Sequence, residues 1–335
     1  MRVRRGSRET AMSEAVKTTD RTNEIETVRL GRNLGAEIRN LDLSQHLTAN
    51  EFGVVHRAFL ENEILVFRDQ DIDARDQIAF GRMFGDLSIH PFSPNLAGMP
   101  ELIVLDNHQG NPPRLTDQWH SDETFRETPP MATILRSTIT PKLGGDTMFA
   151  SMSAAYEGLS DEIQRLISGL EGIFDFKPFR TLFNNDPESK KRLLEIEDEH
   201  PIRTHPVVRV HPESGRKSIF VNPQFTIGIK GMKEEESRAL LTMLFDQAKV
   251  PEYQFRHHWE QNTMIMWDNR CVLHYAIHDY YPQRRRMERV TIAGDKPFGP
   301  DAPYDGPHIG RPELTLSEQD APPQDGEEPV RNFKR

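Results

Sequence analysis

The sequence predicts a mainly β protein with flanking α-helices, in which antiparallel strands form a sandwich or a barrel. Short apolar segments with proline and glycine turns between them dominate the second half of the chain, as is typical of such folds. No alternation of strands and helices and no phosphate-binding glycine motif is visible, which argues against a nucleotide-binding α/β fold. The 335 residues suffice for one large β-rich domain, or for two domains of about 150 residues each.

The individual elements follow from local patterns along the chain. Thr48 and Glu51 form a capping box, and Phe52 and Phe59 follow at helical spacing, so a helix is predicted to begin here. An apolar strand is predicted at Ile64–Phe67. Further amphipathic helices are predicted over 74–84, after Ser160 and over 233–247. Further strands are predicted at 101–105, 132–138, 206–210, 217–222, 263–267 and 289–293.

Composition divides the chain into a folded body and two tails. Residues 1–24 lack hydrophobic periodicity and are predicted to form a flexible N-terminal tail. Residues 300–335 hold seven prolines and eight acids. Because such a segment buries too little apolar surface to offset its ordering entropy, we expect a disordered or loosely draped tail. The body over 25–299 is therefore predicted to be a single domain.

Charge and hydropathy exclude several classes of protein. The chain has 52 acidic and 42 basic residues, a net charge of -10, which argues against a protein that binds nucleic acid by neutralising phosphates. No apolar run approaches the roughly 20 residues of a membrane span. No apolar stretch follows the arginine-rich N-terminus, as a secretory signal would require. The single cysteine, Cys271, excludes a disulfide framework within one chain, so we expect a cytoplasmic protein.

A His-x-Asp motif is the first candidate for chemistry. If the segment around His120 and Asp122 is extended, both side chains point to the same face and can reach one metal ion. A further histidine would complete the set of two histidines and one carboxylate that non-haem Fe(II) oxygenases use. The motif alone is weak evidence, because 13 histidines in the chain also make a chance occurrence in a surface loop compatible with it.

A run of arginines near the end of the body is the second candidate. The usual interpretation of Arg284–Arg286 together with Arg289 is a solvated face. In an extended segment, however, Arg285 and Arg289 share a face with Met287, which places two guanidinium groups among apolar neighbours. An arginine in such surroundings needs an anionic partner, and its planar fork suits a carboxylate or a sulfonate.

Several ordered motifs resemble the TauD/TfdA family of 2-oxoglutarate-dependent Fe(II) dioxygenases, and the taurine dioxygenase branch in particular. The resemblance covers nearly the whole body and rests on the stretches Phe84–Leu87, Trp119–Phe125, Gly144–Thr147, Trp267–Arg270 and His274–Arg289. The family implies a double-stranded β-helix, or jelly roll, which agrees with the strand pattern.

The resemblance implies which residues bind the metal and the cosubstrate. His120, Asp122 and His274 would be the catalytic residues that bind Fe(II). Thr147 and Arg285 would hold the far carboxylate of 2-oxoglutarate, the cosubstrate. The implied reaction uses O2 to hydroxylate a substrate and yields succinate and CO2. Asp268 and Arg270, just before His274 in the chain, are predicted to be a structural ion pair rather than catalysts.

The resemblance also implies the class of substrate. His90, Phe225 and Arg289 would contact a small organic anion, namely a sulfonate, an alkyl sulfate or an aryloxy or carboxylic acid. Ser93 and Thr116 stand where the taurine branch has an aromatic residue and an asparagine. These departures leave room for an anion other than taurine.

Two other functions compete with the dioxygenase. A zinc-dependent hydrolase could use the same His/Asp/His set, although Arg285 and Thr147 would then have no evident purpose. A non-catalytic jelly-roll binding protein is the third hypothesis, because a fold alone does not imply a function. The complete ligand set argues against it. We expect no nucleic-acid or membrane partner, and we expect the protein to form a homo-oligomer.

Overall fold

The computed structural model describes residues 22–90, 95–183 and 186–313. Most of the predicted N-terminal tail, and residues 314–335 of the C-terminal tail, lie outside these ranges. The α-helices are α1 (Ala49–Asn62), α2 (Ala74–Arg82), α3 (Met152–Glu157), α4 (Asp161–Ile167), α5 (Pro187–Glu199) and α6 (Glu234–Asp246). The strands are β1 (Glu26–Arg29), β2 (Ala36–Arg39), β3 (Ile64–Phe67), β4 (Leu87–Ser88), β5 (Asn95–Leu96), β6 (Met99–Asn107), β7 (Ala132–Ile139), β8 (Thr147–Ser151), β9 (Glu171–Phe174), β10 (Arg203–Pro206), β11 (Val208–Val210), β12 (Lys217–Ile219), β13 (Thr226–Ile229), β14 (Gln254–His257), β15 (Met264–Asp268), β16 (Val272–Ala276) and β17 (Arg285–Ile292).

The larger sheet has the strand order β1-β2-β3-β15-β7-β17-β6-β5, with β4 paired to β17. Its centre is antiparallel, since β15 pairs with β3 and β7, and β17 pairs with β7 and β6. Only β2 and β3 pair in parallel within this sheet as described. Every residue of β3 and β15 is buried, which is expected for central strands that are covered on both faces.

A smaller sheet of order β14-β8-β16 faces the larger one across an apolar layer. Phe149 of β8 packs against Trp267 of β15 with their ring centroids 5.5 Å apart. Leu135, Ile265 and Met287 of the larger sheet belong to the same buried cluster. Two facing sheets with flanking helices confirm the predicted fold class.

Helices cover the outer face of the larger sheet. Phe59 of α1 and Phe80 of α2 are buried with residues of β3, β7 and β15, and the rings of Phe67 and Phe80 meet edge to face at 5.4 Å. On another side of the molecule, α6 packs its buried leucines into a cluster that includes Ile229 and Phe225. Within the described ranges, no helix combines the length and the apolar character needed to cross a bilayer.

The helices and strands predicted from the sequence are confirmed, with differences at their ends. The second predicted helix ends at Arg82, and the last predicted strand is the end of β17, which begins at Arg285. The predicted strand at 206–210 is divided between β10 and β11. Helix α5 was missed because it buries a single residue, Ile196, and is otherwise charged or exposed. Its one signal is Asp186, which caps the helix before a proline.

The described structure continues past residue 299 into the first part of the predicted C-terminal tail. Residues 300–313 lie against the body without a helix or strand of their own. The backbone N–H of Ile309 donates to the carbonyl of Ser214 at 2.9 Å, and Arg311 forms an ion pair with Glu157 at 2.6 Å. A segment with little apolar surface can attach to the body only through such polar contacts. These contacts depend on single distant residues, so they could not be predicted from composition.

We expect the substitution Thr48→Ala to lower the free energy of unfolding by about 1 kcal/mol. The hydroxyl of Thr48 accepts a hydrogen bond from the backbone N–H of Glu51, and the Glu51 carboxylate accepts one from the N–H of Thr48. Ser160→Ala is the matched control, because Ser160 caps α4 without a side-chain hydrogen bond. Urea denaturation measures both variants. Equal losses of stability would contradict the role given to the capping box.

Candidate active site

Three residues that can bind a metal come together at one point. The backbone of His120 pairs with that of His274 on β16 through hydrogen bonds of 3.0 and 2.8 Å, which forms an isolated bridge. Asp122 follows two residues after His120. One ligand atom from each of the three side chains lies within 4.8 Å of the others, and all three residues are buried. The fold thus joins residues that are far apart in the sequence.

Hydrogen bonds fix the direction of these side chains. The ring nitrogen Nδ1 of His120 lies 2.7 Å from the carbonyl of Gln118 and must donate to it, because a carbonyl only accepts. The other ring nitrogen, Nε2, is therefore left with its lone pair. Oδ2 of Asp122 accepts from the Thr133 hydroxyl at 2.5 Å, and Nδ2 of Asn269 donates to the same hydroxyl at 2.9 Å. Thr133 and Asn269 thus orient the carboxylate.

Burial and neighbouring cations set the protonation states of the three residues. Burial alone would raise the pKa of Asp122, but the guanidinium of Arg289 and the hydrogen bond from Thr133 oppose it, and that pKa lies far below its usual range. Burial lowers the pKa of both His120 and His274, so the imidazoles are neutral near pH 7. Nε2 of His274 lies 3.9 Å from Oδ1 of Asp122, too far for a hydrogen bond. Two neutral imidazoles and one carboxylate are the donor set that suits Fe(II).

A second group of His, Asp and Cys side chains lies close together but has its donor atoms in use. His211, Asp268 and Cys271 offer ligand atoms within 4.8 Å of one another. The guanidinium of Arg270 donates to both oxygens of Asp268, at 2.8 and 2.7 Å, and Nε2 of His211 lies 2.9 Å from the same carboxylate. Nδ1 of His211 accepts two backbone N–H groups. The predicted ion pair of Asp268 and Arg270 is confirmed as a structural feature.

A cavity of about 110 Å³ opens beside the first group. Its lining includes His120 and His274 and three further predicted site residues, Thr147 of β8 and Arg285 and Arg289 of β17. Five of the eight candidate residues therefore share one cavity. Its other walls mix apolar and polar side chains, as is usual for small-ligand sites.

Arg285 carries a buried positive charge that no acidic side chain within the described ranges neutralises directly. Its Nε donates to the carbonyl of Gly145 at 3.1 Å, and no carboxylate of the described residues forms an ion pair with it. Burial lowers the pKa of Arg285 to about 10. The neighbouring Arg284 and Arg286 point outward and pair with acids. The alternation expected from the sequence is therefore correct, and the guanidinium of Arg285 is left with capacity for an external anion.

Arg289 differs from Arg285 because it already faces two carboxylates. Its Nη1 lies 3.3 Å from Oδ1 of Asp122, and its Nη2 lies 4.0 Å from Oε1 of Glu123. Glu123 is itself buried, and burial raises its pKa against the opposing effect of Arg126. Arg289 also lines the cavity, so the residue that contacts Asp122 is accessible to a molecule that enters.

His90 and Phe225 are buried near the three metal-binding candidates but do not line the cavity. Nε2 of His90 lies 3.9 Å from Glu123, and its ring meets that of Phe179 at 6.1 Å. The ring centroid of Phe225 is 6.5 Å from that of His120 and 5.5 Å from that of Phe179. Two of the three residues predicted to contact substrate, His90 and Phe225, thus pack against the same ring, Phe179, and Phe225 also meets His120.

Of the two positions that depart from the taurine branch, the structure describes only Thr116. Thr116 lines the cavity, and its hydroxyl lies 2.8 Å from Nε2 of His278. A short polar side chain and an imidazole thus stand where the family branch has an asparagine. Ser93 lies outside the described residues.

Sequence reasoning missed the residues that support the site. Asn269 lies inside the motif Trp267–Arg270, so membership of that motif could have pointed to it. Thr133 is a polar residue in a strand that is otherwise mostly apolar at its start, which is a usable signal. Trp259 has no local signal, because its partner Thr147 lies 112 residues away in the chain.

Comparisons with known proteins agree with the geometry of the site. The family model "Taurine catabolism dioxygenase TauD, TfdA family" matches residues 26–291. An alkylsulfatase of Acinetobacter baylyi is 32% identical over 284 residues, which cover 83% of this chain and 88% of the relative. An alpha-ketoglutarate-dependent sulfate ester dioxygenase of Pseudomonas putida is 33% identical over 293 residues, which cover 86% and 95%. The crystal structure of a taurine dioxygenase from Burkholderia xenovorans matches with a TM-score of 0.72 and 32% identity over 83% of this chain and 92% of that one.

We expect Thr133→Val to weaken the binding of Fe(II) by about 10- to 100-fold, because the carboxylate of Asp122 loses the hydroxyl that orients it. Valine has nearly the shape of threonine, so packing is retained. Thr138→Val is the matched control on the same strand, since the hydroxyl of Thr138 donates to the carbonyl of Arg286 instead. Equilibrium titration with Fe(II) under anaerobic conditions measures both variants. Equal affinities would show that Thr133 has no part in orienting the ligand.

Proposed function

The chain belongs to the TauD/TfdA family of 2-oxoglutarate-dependent Fe(II) dioxygenases, and from this premise we propose that it hydroxylates small organic anions, with alkyl sulfate esters as the first candidates. The observation that carries the proposal is the cavity beside the two histidines and the aspartate. Two arginines line it, and Arg285 forms no ion pair with any residue that the structure describes. Such a cavity suits two anions, the cosubstrate and the substrate.

His120, Asp122 and His274 would bind Fe(II). Their donor atoms fit the ion, since Nε2 of His120 keeps its lone pair and Asp122 is ionised despite its burial. When bound, Fe(II) supplies O2 activation, which is coupled to the conversion of 2-oxoglutarate to succinate and CO2. Three protein ligands leave coordination positions for the cosubstrate and for O2.

Arg285 and Thr147 would hold the far carboxylate of 2-oxoglutarate. The guanidinium of Arg285 is buried and has no ion pair among the described residues, so a carboxylate that enters the cavity would gain a charge-assisted, bidentate contact. The hydroxyl of Thr147 lines the same cavity and can donate to that carboxylate. A zinc hydrolase would have no use for such a pair, and the named Pseudomonas relative is a dioxygenase.

Arg289 would hold the anionic group of the substrate, with His90 and Phe225 beside it. The contact of Arg289 with Asp122 is 3.3 Å long, so the guanidinium retains hydrogen-bonding capacity toward the cavity. The aromatic rings of Phe179 and Phe225 would pack against an alkyl or aryl portion of the substrate. Hydroxylation of the carbon that carries a sulfate group would release sulfate and leave an aldehyde.

The proposal predicts substrate-dependent formation of succinate. The test combines the Fe(II)-loaded protein with 2-oxoglutarate, O2 and, in turn, alkyl sulfates, alkylsulfonates and aryloxyacetates. We expect alkyl sulfates to stimulate succinate formation most and to release sulfate in equal amount. Sulfate release without O2 and 2-oxoglutarate would instead indicate hydrolysis, and a lack of stimulation by all three classes would contradict the proposed substrate.

The variant Arg289→Ala is the internal control for this screen. Loss of a charge-assisted bond costs about 1.5–3 kcal/mol, or roughly ten- to a hundredfold in substrate affinity. Because Arg289 also faces Asp122, the Fe(II) content of the variant must be measured separately. An unchanged substrate affinity in the iron-loaded variant would remove Arg289 from the substrate site.

The cosubstrate assignment predicts a selective effect of Arg285→Lys. Lysine keeps the charge but not the planar fork, so the KM for 2-oxoglutarate should rise far more than that for the substrate. Arg284→Lys is the matched control, because Arg284 immediately precedes β17, is exposed and pairs with Asp106 at 2.7 Å. Steady-state kinetics with each compound varied in turn measure the effect. Equal KM values for 2-oxoglutarate in the two variants would contradict the assignment.

We further propose a cytoplasmic location and a homo-oligomeric assembly. The chain has one cysteine, and Cys271 is buried and free, as suits a reducing compartment. Cell fractionation and light scattering after size-exclusion chromatography test the two statements separately.

A further inference from the structure

We propose that Trp259 is a positioning residue for the cosubstrate, because its indole contacts both Thr147 and Arg285 from the protein side. The inference rests on the proposed function, in which these two residues hold the far carboxylate of 2-oxoglutarate. It adds a residue that would touch neither the metal nor the cosubstrate. Trp259 would act through Thr147 and Arg285, which would contact the cosubstrate.

The first contact is a buried hydrogen bond with a defined direction. Nε1 of Trp259 lies 2.9 Å from Oγ1 of Thr147, and both residues are 3% exposed. An indole N–H can only donate, so the threonine oxygen accepts and its own proton must point elsewhere. No group of the described residues accepts that proton. Since Thr147 lines the cavity, the indole directs the hydroxyl to donate into it.

The second contact places the same indole against the guanidinium of Arg285. The central carbon of that guanidinium lies 5.6 Å from the ring centroid of Trp259 and 5.8 Å from that of Tyr280. Aromatic faces at this distance stabilise a cation without using its N–H groups. Because Nε donates to the carbonyl of Gly145, the terminal nitrogens of Arg285 are kept for the cavity. Two rings therefore hold the fork in one orientation.

The indole itself is rigidly held. Trp259 belongs to the buried layer between the two sheets, and the ring of His257 meets it edge to face at 4.9 Å. Burial lowers the pKa of His257 to about 3, so this neighbour is neutral and does not compete with Arg285 for anions. A rigid indole fixes a donor and a cation together before the cosubstrate enters, which lowers the entropic cost of binding.

Two substitutions separate the two contacts. Trp259→Phe keeps a flat ring for Arg285 but removes the N–H, and Trp259→Leu removes both. The measurement is anaerobic titration of the Fe(II)-loaded protein with 2-oxoglutarate, followed by its visible charge-transfer absorption. We expect the affinity to fall about two- to tenfold in Trp259→Phe, the effect of one neutral hydrogen bond, and further in Trp259→Leu. The affinity for Fe(II) without cosubstrate should be unchanged in Trp259→Phe.

Two controls distinguish positioning from a general packing role. The first repeats the titration with 2-oxobutyrate, which chelates the metal through the same end but has no far carboxylate. Its affinity should be the same in the wild type and in Trp259→Phe. The second adds Trp259→Phe to Thr147→Ala. Because the N–H acts through the hydroxyl, the double variant should bind 2-oxoglutarate no more weakly than Thr147→Ala alone.

The experiments distinguish a failure of this inference from a failure of the proposed function. Normal 2-oxoglutarate affinity in Trp259→Phe would overturn the inference, and so would an equal loss for 2-oxobutyrate or full additivity with Thr147→Ala. If Arg285→Lys weakens 2-oxoglutarate binding while Trp259→Phe does not, only the inference is wrong. If neither substitution weakens it, the cosubstrate assignment fails as well.

Discussion

The short backbone bridge between His120 and His274 is the constraint on which the site depends. Two hydrogen bonds tie an irregular segment to β16 and thereby set His120, Asp122 and His274 at one point. Neither partner could achieve this alone, since β16 contributes one of the three candidate ligands and the segment contributes two. The paired sheets supply the rigidity, because β16 is anchored on β8 and packs toward the larger sheet through Trp267 and Phe149.

Because these three residues are buried, each charged group beside them needs a partner of opposite charge or a hydrogen bond. Asp122 is ionised in a dry site because a guanidinium and a hydroxyl compensate it. Arg289 supplies this guanidinium, and the carboxylate of Asp122 partly neutralises its charge. Arg285 has no such partner in the part of the chain that the structure describes, and a buried cation without an acid is costly unless a ligand binds it. The difference between the two arginines gives each a distinct proposed anion, although they come from the same run in the sequence.

The sequence predicted those parts of the molecule that depend on local patterns. The capping box at Thr48 and the alternation of Arg285, Met287 and Arg289 gave correct elements and correct faces. The motif resemblance named three residues that the fold brings together. The sequence did not predict α5, because this mostly charged helix buries one side chain. It also did not predict the hydrogen bond from Trp259 to Thr147, which joins residues 112 positions apart. Long-range contacts of single side chains leave no periodicity in the sequence, so only the fold reveals them.

Strand β17 fixes the distance between the two arginines. Arg285 and Arg289 lie four positions apart on it, about 13 Å along an extended strand. The strand pairs with β6 at both arginines and with β7 from Arg286 onward, so its backbone cannot shift without disrupting the sheet. In the proposed function, the backbone of β17 therefore sets the positions of the contacts to the cosubstrate and to the substrate. Selectivity among anions must then come from elements outside the strand, such as Thr116 and the aromatic group around Phe225, which can change without moving either arginine.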